Sequence, residues 1–429
     1  MTRNRVVITG LGMVAPLGLT VEENWQGILA GRSGVSRTRK FDASAYPTTF
    51  SAQVPPFELA DYTDHPEEFA RSGCNVHFTV AAAKMAFADS GLRLGQVAPE
   101  RFGVYFASGE GPADFDAFTR SIGAACKDGQ VDTATYCREG AIQYDPINEL
   151  EQEPGRAATH LARLYQAFGP NANSLTACAA STQAIGEAMM ILRRGDADVM
   201  FTGGAHSMIQ PFGVMGFNLL TAIATEPRDH PEKASCPFDK KRSGFVMGEG
   251  GSLLILETLD HALTRGARIH AEVVGYGSSA DAYRMTDIHP EGRGPLACLE
   301  AAVRDAGLPR EAIDYVSAHG TSTTENDKIE TLSLKKFFGP RAYQIPVSSV
   351  KSSLGHLIAA AGASELITCV LAMRDQMLPP TINYEDPDEG LDLDYVPNVA
   401  RAAKVEVCLS ESFGFGGQND AVIVRRYAP

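Results

Sequence analysis

Four short segments hold residues able to do covalent or acid–base chemistry. Cys178 stands in SLTACAAS, between a segment that reads as a strand and one that reads as a helix. At a helix N-terminus the backbone N–H groups and the dipole favour a thiolate. The small flanking alanines leave room for a substrate, so strand, turn, cysteine and helix make a nucleophile elbow with Cys in place of Ser. A buried structural thiol is the other reading. His319 ends the strand-like run YVSAH, followed by Gly320 and the polar stretch Thr321–Thr324. There it can project into a site, or serve as a hydrogen-bonded structural histidine. His356 follows Gly355 in SVKSSLGHLIAAAGASE, five residues after Lys351, and is expected to open an Ala/Gly-rich helix. A histidine at a helix start tends to stay neutral and can donate one hydrogen bond without carrying charge. It could equally be a cap. The fourth segment, ESFGFGGQND (411–420), lets backbone approach a ligand and can expose N–H groups to an oxyanion, or simply turn the chain before a last strand.

Other motifs are weaker. Gly10-Leu11-Gly12 completes no dinucleotide fingerprint, and GEGG (248–251) lacks the Lys-Ser/Thr of a phosphate loop. The remaining histidines show no zinc-ligand spacing, so no metal is expected.

The elements that must position these residues alternate strand and helix, which points to an α/β protein. Strands are expected over 4–9, 103–108 and 198–203, with helices over 77–91 and 179–194. The plan of 173–195, a β-like lead-in running into a small-residue helix, returns at 346–376. This suggests two similarly folded halves joined near 255–265. The halves are drawn as 1–257, with the cysteine, and 258–429, with both histidines and the GFGG loop.

Composition narrows the function. The 429 residues carry 38 Lys+Arg against 52 Asp+Glu, a net charge of −14. That balance argues against a generic nucleic-acid binder. No apolar run is long enough for a transmembrane helix. The basic-then-apolar N-terminus reads better as a first strand than as a signal peptide. The eight scattered cysteines form no CxxC and read as reduced thiols of a cytoplasmic protein.

Taken in order, seven segments resemble the β-ketoacyl-[acyl-carrier-protein] synthases of the elongating, synthase II type, within the thiolase-like superfamily. They are VVITGLGMVAPLG, TACAAS, CPFDKKRSGFVMGEGG, AHGTSTTENDKIET, VKSSLGHLIAAAGASE, PPTINYEDPDEGLDLDYVPN and SFGFGGQN. The resemblance spans essentially the whole chain. It implies a five-layered αβαβα fold and a decarboxylative Claisen condensation. Cys178 would take the acyl group from a carrier-protein thioester. His319 and His356 would hold the enolate formed when malonyl-carrier loses CO2. The N–H groups of Cys178 and Phe413 would form the oxyanion hole, with Phe413 also the gating ring. Lys351 would tune the histidines, with Glu330 and Asp327 in support. Thr321 and Thr323 would contact a phosphopantetheine arm supplied by the acyl carrier protein, so no bound cofactor is expected. A homodimer is implied too.

Departures from the family bear on the substrate. Glu110 in SGEGPADF stands where an apolar residue usually gates the acyl pocket. A carboxylate facing an alkyl chain is costly unless paired, so short, polar or unusual chains are expected. Residues 110–155 diverge broadly. The basic carrier-docking patch is thinned to Arg71, with Lys240, Lys241 and Arg228 as substitutes, and Arg242-Ser243-Gly244 replaces Arg-Asp-Gly. The alternatives are a specialised polyketide or lipid ketosynthase with a partner subunit, and a non-catalytic chain-length-factor-like subunit. The latter usually lacks the nucleophile. A thiolase would be expected to have a second cysteine near the terminal glycine loop. An initiating synthase would pair His with Asn.

Overall fold

The computed structural model describes residues 3–109, 111 and 114–428. Ten strands form the main sheet: β1 (Val6–Val14), β2 (Phe102–Ser108), β3 (Asn171–Ser174), β4 (Val199–His206), β5 (Gly250–Thr258), β6 (Ala271–Ala280), β7 (Tyr315–Ser317), β8 (Val347–Ser348), β9 (Val407–Gly414) and β10 (Gln418–Arg425). Six helices matter most: α1 (Cys74–Ser90), α2 (Arg156–Tyr165), α3 (Ala180–Arg194), α4 (Arg293–Ala306), α5 (Thr324–Phe338) and α6 (Ala361–Asp375).

The spatial strand order is β3-β2-β4-β5-β1, then β6-β10-β9-β7-β8. Adding five to each strand of the first array gives the second. Pair senses repeat as well. β2 runs parallel to β3 and β4, as β7 does to β8 and β9, while β5 and β10 are antiparallel to both neighbours. The arrays join where β1 and β6 pair antiparallel, Val7 opposite Glu272. This is the duplication that the echo between 173–195 and 346–376 predicts.

The layers follow from which faces are apolar. α3 and α6 touch each other and strands of both arrays, so they lie between them. Every residue of α6 except Arg374 and Asp375 is buried. A helix apolar all round has to be enclosed on all sides. α1 and α2 cover the outside of the first array, and α4, backed by α5, covers the second. The result is helix, sheet, helix, sheet, helix.

Close approach explains the glycines of β1. A Cβ on Gly12 would lie 1.9 Å from the carbonyl oxygen of Ala82 in α1. The second array repeats the device: a Cβ on Gly277 of β6 would lie 2.1 Å from the Cys298 carbonyl in α4. Gly10 and Gly12 therefore serve helix–sheet packing. The expected strands and helices are all present, with their ends shifted by up to five residues. β1 continues to Val14 because both its faces are buried.

The divergent segment forms helices Phe115–Ala125, Thr133–Gln143 and Pro146–Glu151. One of its acidic residues is structural. Glu151 accepts from Ser72 (2.5 Å), Arg156 (3.0 Å from Nε) and His160 (2.8 Å). These partners hold its carboxyl down at about 2 against the cost of burial. Glu110 lies outside the described residues.

Filling the strand–helix contact has a predictable cost. Gly12→Val should lower stability by about 1–3 kcal/mol or more. Urea unfolding against wild type measures it.

Candidate active site

Each candidate side chain sits at the end of an element aimed at one cleft. Cys178 lies in the one-turn helix Ala177–Ala179 between β3 and α3, at the expected elbow. Ala177 is held at φ +48°, a conformation that alanine rarely adopts. Surrounding structure must enforce it, as is common beside reactive residues. The second array has the same turn: Ile358 at φ +49° begins the one-turn helix Ile358–Ala360 ahead of α6. Ala359 occupies there the place that Cys178 occupies in the first array.

His319 follows β7, and Thr321 and Thr323 lead into α5. His356 does not open a helix. Lys351–Leu354 ends at Gly355, whose φ +67° and ψ −175° suit glycine alone, and the chain leaves extended. His356 then bridges Met247: its N–H donates to the Val246 carbonyl (2.7 Å), and its own carbonyl accepts from Gly248 (2.9 Å). The SGFVMGEGG segment thus pins His356. The neutrality expected from a helix dipole has another cause, namely burial.

The side chains converge. The sulfur of Cys178 and one ring nitrogen of each histidine lie within 4.8 Å of one another, all buried. The imidazoles meet edge to face, centroids 5.4 Å apart. Neighbours fix their tautomers. Lys351 Nζ donates to His319 Nδ1 (3.2 Å), and Ile358 N–H donates to His356 Nδ1 (3.2 Å). A neutral imidazole that accepts on Nδ1 must carry its proton on Nε2. Both rings therefore present Nε2–H. That of His356 has no partner among the described residues. Burial first, then the Lys351 charge, holds both histidines well below their usual range.

Lys351 is itself anchored. It donates to the His319 carbonyl (2.5 Å) and pairs with Glu365 of α6. Glu330 accepts from the N–H groups of His319 (2.6 Å) and Gly320 (2.7 Å), and burial pushes its carboxyl up to about 7. Asp327 serves a neighbouring loop: it accepts from Phe238 N–H (2.8 Å) and faces Arg242. Thr321 and Thr323 share a hydroxyl hydrogen bond of 2.8 Å. Both line a cavity of about 300 Å³ together with Cys178, His319, His356, Phe413 and Phe415.

Two expectations change. The first concerns the thiol. Enclosure outweighs the helix terminus and pushes Cys178 up to about 11, although Lys351 and the N–H groups of Phe415 and Cys178 pull it down. The second concerns Phe413. The N–H that reaches the sulfur from the terminal loop belongs to Phe415. Phe413 is inside β9, opposite Asn419, with its ring against His319 at 5.7 Å. β9 stops at Gly414, so Phe415 is the half-buried ring on the turn. In SFGFGG two phenylalanines alternate, and only the strand end tells them apart.

Cysteine with two histidines is also a possible zinc donor set. The Lys351 ammonium against His319 opposes a divalent ion there. Sequence reasoning missed Glu365 and Glu411, both fully buried beside Lys351 and Glu330. Their signal was a carboxylate inside an otherwise apolar helix and strand. The expected docking cations are already paired: Arg71 with Asp145 (2.8 Å), Lys241 with Asp386 (2.5 Å) and Arg228 with Glu226 (3.5 Å). Lys240 is exposed.

A buried Cys/His/His cleft between two duplicated arrays is the site of a condensing enzyme. Residues 3–262 match the family described as beta-ketoacyl synthase, N-terminal domain, and residues 270–385 match its C-terminal domain. The chain belongs to the beta-ketoacyl synthase family, whose members are acyltransferases. It is 42% identical to the 3-oxoacyl-[acyl-carrier-protein] synthase 2 of Coxiella burnetii over 99% of both chains. It is 39% identical to that of Synechocystis over 100% of this chain and 99% of the relative. Among solved structures, a beta-ketoacyl synthase from Burkholderia phymatum superposes with TM-score 0.87 at 33% identity, covering 99% and 100%. The ketosynthase of a type II polyketide system, solved with its acyl carrier protein and a bound hexaketide, gives TM-score 0.88 at 34% identity over 99% and 100%.

The histidine assignment has a pH consequence. Below about pH 6.5 the unfolded chain protonates each histidine while the folded chain does not. The stability they contribute is therefore present above that pH and lost as pH falls. The slope of stability between pH 7 and 5 should be shallower in His356→Leu than in wild type. Denaturation series at each pH measure it.

Proposed function

We propose that this chain is a 3-oxoacyl-[acyl-carrier-protein] synthase of fatty-acid or related acyl-chain biosynthesis. The observation that carries the reading is the convergence of one thiol and two Nε2–H donors in a buried cleft. Cys178 sulfur attacks the thioester carbonyl of an acyl-carrier, and the departing carrier thiolate takes the proton. The tetrahedral oxyanion accepts hydrogen bonds from the N–H groups of Cys178 and Phe415. A malonyl-carrier then replaces the first carrier. Its carboxylate leaves as CO2, and the electron pair moves onto the thioester oxygen. That enolate oxygen accepts from Nε2–H of His319 and of His356. The enolate carbon attacks the acyl-Cys178 carbonyl, and the Cys178 thiolate leaves and recovers a proton. Neutral histidines suit this task, because a donor that stays protonated at Nε2 needs no titration between steps.

Thr321 and Thr323 face the cavity along the path of the phosphopantetheine arm, which the carrier protein supplies in place of a resident cofactor. Docking of an acidic carrier would exchange the ion pairs of Arg71, Arg228 and Lys241 and use Lys240 directly. The enzyme works as a dimer. Support comes from exposed Ile142, Ile147 and Leu150 and from β3, which is hydrogen-bonded on one side only. Among the described residues no helix is long and apolar enough to cross a membrane. A cytoplasmic setting agrees with eight unpaired cysteines.

A specialised polyketide or lipid ketosynthase is the second reading. It is favoured by the hexaketide-bound neighbour and by a ketosynthase/chain-length-factor neighbour from ishigamide synthesis at TM-score 0.87 and 32% identity.

Intact mass after incubation with acyl-carrier proteins of increasing length tests the nucleophile. Wild type should gain one acyl group, and Cys178→Ala none. An adduct on Cys178→Ala would refute the assignment.

A further inference from the structure

His206 ends β4, opposite Gly250 of β5. Residues two apart on a strand share a face. A Cβ on Gly204 would meet the Ala359 carbonyl (2.6 Å) and the Ser181 Cβ (3.0 Å), both in the layer between the arrays. His206 therefore points into that layer, toward the reacting groups. One close approach places its ring. A Cβ on Gly109 would lie 2.3 Å from His206 Cε1 and 2.7 Å from Nδ1, so the ring covers the end of β2. His206 is also among the groups that hold His356 below its usual range. The ring thus lies against the end of β2, on the face turned to the layer between the arrays.

It is 5% exposed, and neither ring nitrogen has a hydrogen-bond partner among the described residues. Burial pushes it down to about 4, so the imidazole is neutral at pH 7. One nitrogen donates and the other accepts. A buried polar group without a partner is costly, and each one needs a reason. Leucine or phenylalanine would wall a pocket for a plain alkyl chain at no such cost.

We propose that His206 is a specificity-determining residue that hydrogen-bonds a keto or hydroxyl oxygen carried on the acyl chain close to Cys178. The substrate class is then an oxygenated acyl thioester rather than a saturated one. This rests on the reading of Cys178 as the acyl carrier. A saturated chain leaves both nitrogens unpaired, whereas a hydroxyl or ketone satisfies one.

The test is the rate of Cys178 acylation, read by intact mass. The donors are N-acetylcysteamine thioesters of 3-hydroxy and saturated acids of equal length. Wild type should favour the hydroxylated chain about tenfold, the worth of one hydrogen bond. The ratio should fall to about one in His206→Leu and persist in part in His206→Gln, which keeps a donor and an acceptor. A wild-type ratio at or below one overturns the proposal, even if His206→Leu does not fold. So does a ratio unchanged in folded His206→Leu. Loading of neither chain onto a Cys178 that still reacts with iodoacetamide would overturn the acyl-carrier reading itself.

Discussion

One buried ammonium organises the site. Lys351 Nζ touches His319 Nδ1, the His319 carbonyl and Glu365. Glu330 and Glu411 stand beside it, fully buried. Three carboxyls cannot all be ionised around one cation in a dry interior. Burial leaves Glu330 at about 7, and burial together with the neighbouring Glu330 charge holds the proton on Glu411. What remains near neutrality is a rigid frame. It fixes the His319 tautomer, ties the turn after β7 to α6 and sets a positive charge that acts on the Cys178 sulfur. The same cation draws the Cys178 thiol down and helps to keep both histidines neutral.

The duplicated frame explains how three separated segments meet. Equivalent elbows precede α3 and α6, with the same positive φ at Ala177 and Ile358. Only the first carries a thiol. In the second, chemistry is moved upstream to His356, held by Gly355 and the Met247 bridge. A symmetric fold thus yields an asymmetric site, with a thiol from one half and two imidazoles from the other. The two central helices pack tightly enough that their contacts hold both elbows. A Cβ on Gly362 would lie 1.9 Å from Thr182 Oγ1.

Much of this was legible in the sequence. Period and turn residues located the strands and central helices, and the echo of TACAAS in the 346–376 segment announced the duplication. The elbow at Cys178 was readable from its small neighbours as one of two alternatives, and the order of the seven segments favoured it over a structural thiol. Other features needed three dimensions. Gly355 gives no sign in sequence that it ends a helix and extends the chain at His356. Phe413 and Phe415 differ only in where β9 stops. Glu365 and Glu411 gain a role only once Lys351 is placed, 14 residues before the one in sequence and far along the chain from the other. Proton inventories depend on burial, which no single sequence prints. His206 was passed over for the same reason: a histidine without ligand spacing reads as inert until both its nitrogens are seen buried without a partner among the described residues.

The central claim is that two neutral Nε2–H donors hold the enolate independently of the thiol. Malonyl-carrier decarboxylation by Cys178→Ala tests it most directly, since no acyl transfer can follow. CO2 release should continue in that variant and fall by about 10²–10³-fold when His319 or His356 is also replaced by alanine, the usual cost of losing one preorganised donor. Release that is indifferent to both histidines, or abolished by loss of the thiol alone, would contradict the account.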